Sequence, residues 1–242
     1  TVWALERRYA DMTGKACAVF VPSGTMANQI ALRALAGPGT SVVAGRRQHV
    51  VTHEGGAFGV NQVAQLHLLD DDDGTLDPGE VAHLVEAAAH RWPAPSVVCI
   101  EDTHLASGGR PWPLDRLAAV AEVGVPVHLD GARLFNAAVA TGTTVADRSA
   151  PATTVTSCLS KGLAAPVGSV LAGPADVIAR ARVERKRLGG GMRQAGIVAA
   201  AGLLALDTMV DRLAEDHRRA RVLAEAVAAR WPDAGCDPAE VQ

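Results

Sequence analysis

The stretch Ala16-Cys17-Ala18-Val19-Phe20-Val21-Pro22-Ser23-Gly24-Thr25-Met26-Ala27-Asn28 decides how the chain is read. A short run of small and β-branched apolar residues predicts a buried strand over 16–21, and Pro22 ends it. Apolar residues at helical spacing from Met26 to Ala36 predict a helix directly after the turn. Strand, hydroxyl-bearing turn and helix open an α/β unit. The turn sets backbone N–H groups and the positive end of the helix dipole beside Gly24 and Thr25, which suits a phosphate. Taken alone, the same residues are better read as an ordinary N-cap with a glycine turn.

The alternation continues outward. Further strands are predicted at 41–44, 65–69, 96–101, 125–130, 153–159 and 168–172, and helices at 77–90, 114–123 and 133–141. From Pro174 the pattern becomes consecutive helices, 175–188, 193–210 and 211–230, broken by Gly189-Gly190-Gly191. The fold class is therefore α/β, with helices packed on a mostly parallel seven-stranded sheet. Ligands of such sheets sit beyond the carboxyl ends of the strands. At 242 residues, 48% hydrophobic and only 3% aromatic, the chain can bury a large aliphatic core. A net charge of −3 gives no basic field for nucleic acid, and no apolar run is long enough to cross a membrane. Four scattered cysteines without a CxxC pair suit a reduced, cytoplasmic protein. The first strand-turn-helix lacks GxGxxG, which argues against a nicotinamide site.

Two strand ends carry chemistry. Val127-His128-Leu129-Asp130-Gly131-Ala132-Arg133 delivers a carboxylate at a strand tip with an arginine three residues on. Such a carboxylate can hold a pyridinium proton, and the arginine a phenolate or carboxylate, although a capping Asp beside a surface Arg reads equally well. Ser157-Cys158-Leu159-Ser160-Lys161-Gly162-Leu163 places one of only three lysines at another strand end. The small, apolar residues that follow predict an enclosed amine suited to Schiff-base chemistry. Phosphate turn, strand-end Asp and strand-end Lys, in that order, form the layout of a pyridoxal 5′-phosphate site.

The sequence closely resembles the threonine aldolases of the β-eliminating lyase group, among the fold-type I pyridoxal-phosphate enzymes. The resemblance is carried by Phe20 to Asn28, His49 to Ala57, Glu101-Asp102-Thr103-His104, His128 to Arg133, Ser160 to Leu163, Ala165 to Ser169 and Leu188 to Gln194. It implies a three-layer, aspartate aminotransferase-like large domain and aldol cleavage of L-threonine, L-allo-threonine and related β-hydroxy amino acids to glycine and an aldehyde. Gly24 and Thr25 would bind the cofactor phosphate, Asp130 the pyridine nitrogen, and Lys161 the cofactor itself. His49 would stack on the ring, Arg133 would lie near the phenolate and the substrate, and His104 near the substrate hydroxyl, as base or as the residue that orders a water. A loop histidine capping a turn is the lesser alternative for His104. Lys186 and Arg193, seven apart around the triple glycine, would reach the phosphate of a neighbouring subunit, which implies a tetramer built as a dimer of dimers. Another β-elimination on the same scaffold, or a catalytically incomplete cofactor-binding fragment, are the alternatives.

Both ends read as cut. The large domain is expected over 1–231, lacking its N-terminal segment, with 232–242 beginning a small domain that would carry the substrate-carboxylate arginine. Asp70-Asp71-Asp72-Asp73-Gly74 is expected to be a solvated turn rather than a calcium loop. No metal site is expected, because the His49/His53 pair lacks further ligands nearby. Arg180, Arg182, Arg185, Lys186 and Arg187 are by default a solvated helix face, and Lys15 is expected to be exposed in a turn.

Overall fold

The computed structural model describes residues 1–241. Its strands are β1 (Cys17–Val21), β2 (Ser41–Gly45), β3 (Gln65–Leu69), β4 (Pro95–Glu101), β5 (Val127–Asp130), β6 (Thr154–Cys158) and β7 (Ser169–Gly173), in one sheet of order β1-β7-β6-β5-β4-β2-β3. β2 runs parallel to β3 and β4, and the pairs β4·β5 and β5·β6 are also parallel. β7 is antiparallel to both its neighbours. Its short return from β6 is what sequence periodicity does not reveal, since a strand reads alike in either direction.

Each strand alternates its burial between two helical layers, as period-two geometry requires. Ala18 and Phe20 of β1, Val43, Ile100, Leu129 and Val155 face one core, which is covered by α1 (Val2–Thr13), α5 (Pro78–Ala88), α6 (Leu114–Glu122), α7 (Leu134–Thr141), α10 (Gly196–Thr208) and α11 (Leu213–Arg230). The opposite face is split in two. Val19, Val21 and Leu171 pack on α2 (Gly24–Leu35) and α9 (Ala175–Arg187). Val42, Ala44, Val97 and Cys99 pack on Leu32 of α2 and on Val50 of the short α3 (His49–Thr52), with Phe58 of α4 (Ala57–Asn61) beside them. Between these two apolar patches, β4, β5 and β6 present Glu101, His128, Asp130, Thr154 and Thr156, all buried. A polar strip in mid-sheet stays folded only if its groups are hydrogen-bonded, and the candidate site lies along it. The remaining helix, α8 (Val145–Ser149), carries a capping box between Thr144 and Asp147. Short α3, α4 and α8 escape periodicity because fewer than two helical turns give no repeat to read.

Three expectations about charged residues are corrected. Asp71 is not solvated: it is 1% exposed, accepts from the Arg47 backbone N–H, and meets His104. Lys15 is half-buried with its Nζ donating to Ala152 O, and burial lowers its pKa. The arginines of α9 are more than a solvated face. Arg182 donates to Glu6, a buried carboxylate of α1, and Arg185 to Phe20 O, while Arg180 reaches Ala34 O. Residues 232–234 and 238–240 form two 3-10 turns packed on α11.

Candidate active site

A cavity of about 200 Å³ opens where β5 and β6 end, lined by Gly24, Thr25, His49, Asp130, Cys158 and Lys161 among others. Five residues singled out in the sequence thus meet on one wall system. Gly24 and Thr25 open α2, and Ser23 caps it by accepting from Met26 N at 3.2 Å. The first N–H groups of the helix have no partner within the helix. A Cβ at position 24 would stand 3.0 Å from Cys158 Sγ, so the turn is pressed against the end of β6. Lys161 follows β6 and is half-buried on the cavity wall, more open than the enclosed amine expected from its apolar neighbours. Burial raises the pKa of the Cys158 thiol, opposed by Ser169, Lys161 and Arg133.

Asp130 is 7% exposed. Its Oδ1 accepts from Ala132 N at 3.1 Å and its Oδ2 from Asn28 Nδ2 at 2.7 Å. Gly131 lets the chain turn there, since a Cβ would lie 2.6 Å from Thr156 O. His49 sits at the start of α3 with its Nδ1 3.1 Å from Glu54 Oε1. That hydrogen bond raises the pKa of His49 against the opposing effect of burial, and the Asp130 carboxylate adds to the rise. Glu54 also accepts from Asn28 and from Gln29 Nε2, each at 2.7 Å. Glu101, beside Asp130 in the sheet register, accepts from His49 N and Leu105 N. Burial, with Asp130 nearby, lifts its carboxyl to about 7.

His49, Glu54 and Asp130 each offer one ligand atom, all within 4.8 Å of one another. The fold therefore supplies the third group that the local sequence around His49 lacks. The donor set is already engaged: the Asn28 NH₂ lies between the two carboxylates, and His49 is bonded to Glu54.

Arg133 precedes α7 and lines a second cavity, of about 390 Å³, with Thr103, Leu105, Asn136 and His217. His104 lies behind that wall instead of on it. Its ring is fully buried, Nε2 is 3.1 Å from Asp71 Oδ2, and Nδ1 accepts from Ser107 N, capping the 3-10 turn Leu105–Ser107. The turn-capping reading of His104 is the one seen in this chain. Lys186 and Arg193 are exposed and line neither cavity. Asn28, Gln29 and Glu54, which organise Asp130 and His49, were not recognised in the sequence as site residues. Their signal was available: a polar pair, Asn28-Gln29, interrupts the apolar run Met26 to Leu32 on a helix that must be buried.

The profile of the beta-eliminating lyase family matches residues 1–233. The chain belongs to that family. Among its relatives, a probable low-specificity L-threonine aldolase 2 of Arabidopsis thaliana is 40% identical over 237 residues, covering 94% of this chain and 66% of that protein. A low specificity L-threonine aldolase of Escherichia coli O157:H7 is 39% identical, covering 93% and 68%. An uncharacterized protein of Caenorhabditis elegans is 39% identical, and the chain spans 57% of its length. The crystal structure of a putative L-allo-threonine aldolase from Listeria monocytogenes superposes with a TM-score of 0.81 at 26% identity, covering 94% of this chain and 63% of that one. That structure thus shares the fold of this chain.

Proposed function

We propose that the chain is the cofactor-binding part of a pyridoxal 5′-phosphate-dependent lyase that cleaves L-threonine, L-allo-threonine and related β-hydroxy amino acids to glycine and an aldehyde. The observation that carries the proposal is the convergence of Lys161, Asp130, His49 and the α2 N-terminus on one cavity. The residues fit the cofactor. The tight cradle at Gly24 and the N–H groups of the first turn suit a phosphate. Each oxygen of Asp130 is held by one N–H, which keeps the carboxylate aimed at a ring-nitrogen proton. His49 is raised towards its charged form and fixed by Glu54 as a ring-face partner. Lys161 is the amine that would carry the group.

Bound pyridoxal phosphate supplies the electron sink for the bond being broken. The chain's own contribution is orientation and proton handling. Arg133, in the larger cavity, would hold a carboxylate. Thr103 and Leu105, which line the same cavity, flank the inward-turned His104 ring. Burial lowers the pKa of His104, so the ring is neutral, and both its nitrogens are bonded. Of the two candidates for removing the hydroxyl proton, a water ordered on this loop needs no rearrangement of that ring.

Four free cysteines among the described residues support a cytoplasmic setting. The proposal extends to a tetramer, as a dimer of dimers, in which Lys186 and Arg193 each reach a neighbour's phosphate; both are exposed and so available for it. An active, cofactor-saturated monomer in sedimentation would remove that part of the proposal.

Lys161→Ala is expected to abolish both the absorbance of protein-bound cofactor and the release of glycine and acetaldehyde from threonine. Retention of both overturns the assignment. Pyruvate and ammonia as products would instead mark a β-elimination, and bound cofactor without any turnover a binding module.

A further inference from the structure

Asn28 is 1% exposed in the second turn of α2. Its Nδ2 lies 2.7 Å from Asp130 Oδ2 and 2.7 Å from Glu54 Oε1. An amide NH₂ has two hydrogens, so each carboxylate takes one. Asn28 Oδ1 then faces His128 Nε2 at 3.1 Å, and His128 Nδ1 lies 2.9 Å from Thr154 Oγ1. Burial depresses His128 to about 4, so the ring is neutral. The amide oxygen can only accept, so His128 keeps its hydrogen on Nε2 and Thr154 donates to Nδ1. Every bond from Thr154 through His128 and Asn28 to the two carboxylates therefore has one direction.

We infer that Asn28 is a positioning residue: by dividing one amide between Asp130 and Glu54, it ties the partner at the edge of the cofactor ring to His49, the partner on its face. The inference rests on the cofactor reading above. Like charges this close repel unless a donor lies between them. Without Asn28 the two carboxylates would part or share a proton, and the Glu54 anchor on His49 would slacken. His49 faces Glu54 on its own segment, Asp130 from β5 and Glu101 from β4, and stacks on His53 at 5.6 Å between centroids. Of these groups only Glu54 and Asp130 are held by Asn28.

Asn28→Leu keeps the side chain's size and removes both hydrogens. In the cofactor-free protein, NMR titration should place the His49 midpoint lower by at least about half a unit in the variant. An unmoved midpoint in a folded variant overturns the inference. In the unsubstituted protein, both Asn28 side-chain hydrogens should exchange at least about tenfold slower than those of an exposed amide. Free exchange of either one overturns it as well, and this measurement decides the matter if Asn28→Leu does not fold. With pyridoxal phosphate added, the variant should bind about tenfold more weakly than the unsubstituted protein; equal binding removes Asn28 from the cofactor's support. If the unsubstituted protein gives no bound-cofactor absorbance, the cofactor reading fails, and the two cofactor-free measurements still decide whether Asn28 couples the carboxylates.

Discussion

His49 Nδ1 and Glu54 Oε1 lie 3.1 Å apart at the cavity, and His104 Nε2 and Asp71 Oδ2 lie 3.1 Å apart behind the neighbouring loop. Each pair sets an imidazole nitrogen against a carboxylate at the same distance, yet the two histidines shift in opposite directions. The His49 side chain is 27% exposed, and the hydrogen bond to Glu54 outweighs desolvation, so its pKa rises. The His104 side chain is 0% exposed, and desolvation outweighs the attraction of Asp71, so its pKa falls. Contact with a carboxylate does not by itself charge a histidine; burial and the other charges facing the ring, Asp130 and Glu101 for His49 and Arg47 for His104, decide. One pair is built to present charge at a cavity, and the other to hold a loop with a neutral ring.

The sharpest way to break this comparison is His104→Phe. If the neutral ring shapes the substrate wall or orders a water there, turnover should fall by about 10² or more while cofactor absorbance remains. Unchanged turnover would reduce His104 to a loop anchor. Next in size is a contrast of stabilities. Asp71→Ala leaves the His104 N–H and the Arg47 backbone N–H without their buried acceptor and should cost about 3 kcal/mol in urea denaturation. Glu54→Gln keeps an acceptor for part of its network and should cost about 1 kcal/mol. Equal losses would mean that the cavity pair is as structural as the buried one.

The smallest effect is in pH. The folded-state pKa of His49 is raised, so its contribution is fully present below its unfolded value, about 6.5, and is lost as pH rises through the folded value. The folded-state pKa of His104 is lowered, so the folded state binds that proton less readily and loses stability as pH falls below about 6.5. Each effect should stay below about 1 kcal/mol. Melting temperatures of His49→Gln and His104→Gln, each relative to the parent at pH 5.5 and pH 8, should therefore change in opposite senses. Glu101, titrating near 7, cancels in the His104 difference; its carboxyl is held down in part by the charge of His49, so the His49 difference reads these two groups together.

The same contrast shows how far the sequence could be read. All seven strands lie within two residues of their expected bounds, because period-two apolar runs bounded by Pro, Gly and Asp are local signals. Asp130, Lys161 and His49 were legible because each stands next to a strand end or in a quoted motif. Asp71 was not: four consecutive aspartates read as solvent-facing, and only the fold reveals that the second is turned inward against a histidine 33 residues away. The Asn28 bridge is likewise long-range, spanning 102 residues to Asp130. Buried polar networks are assembled across sequence distance, where periodicity carries no information.

The triple glycine between α9 and α10 has one further consequence, for which mutations this protein can absorb. Gly189 has φ +82° with open space around it, so a side chain there would strain only the backbone. A Cβ at 191 would meet Lys186 Cδ, part of a flexible, exposed side chain that can move away. A Cβ at 190 would fall 2.4 Å from Met26 Sδ and 2.9 Å from Arg185 Cγ, wedging the loop off the first turn of α2. Three identical letters thus differ in tolerance: 191 should drift most freely, 189 towards asparagine, and 190 should stay fixed by its neighbour's sulfur.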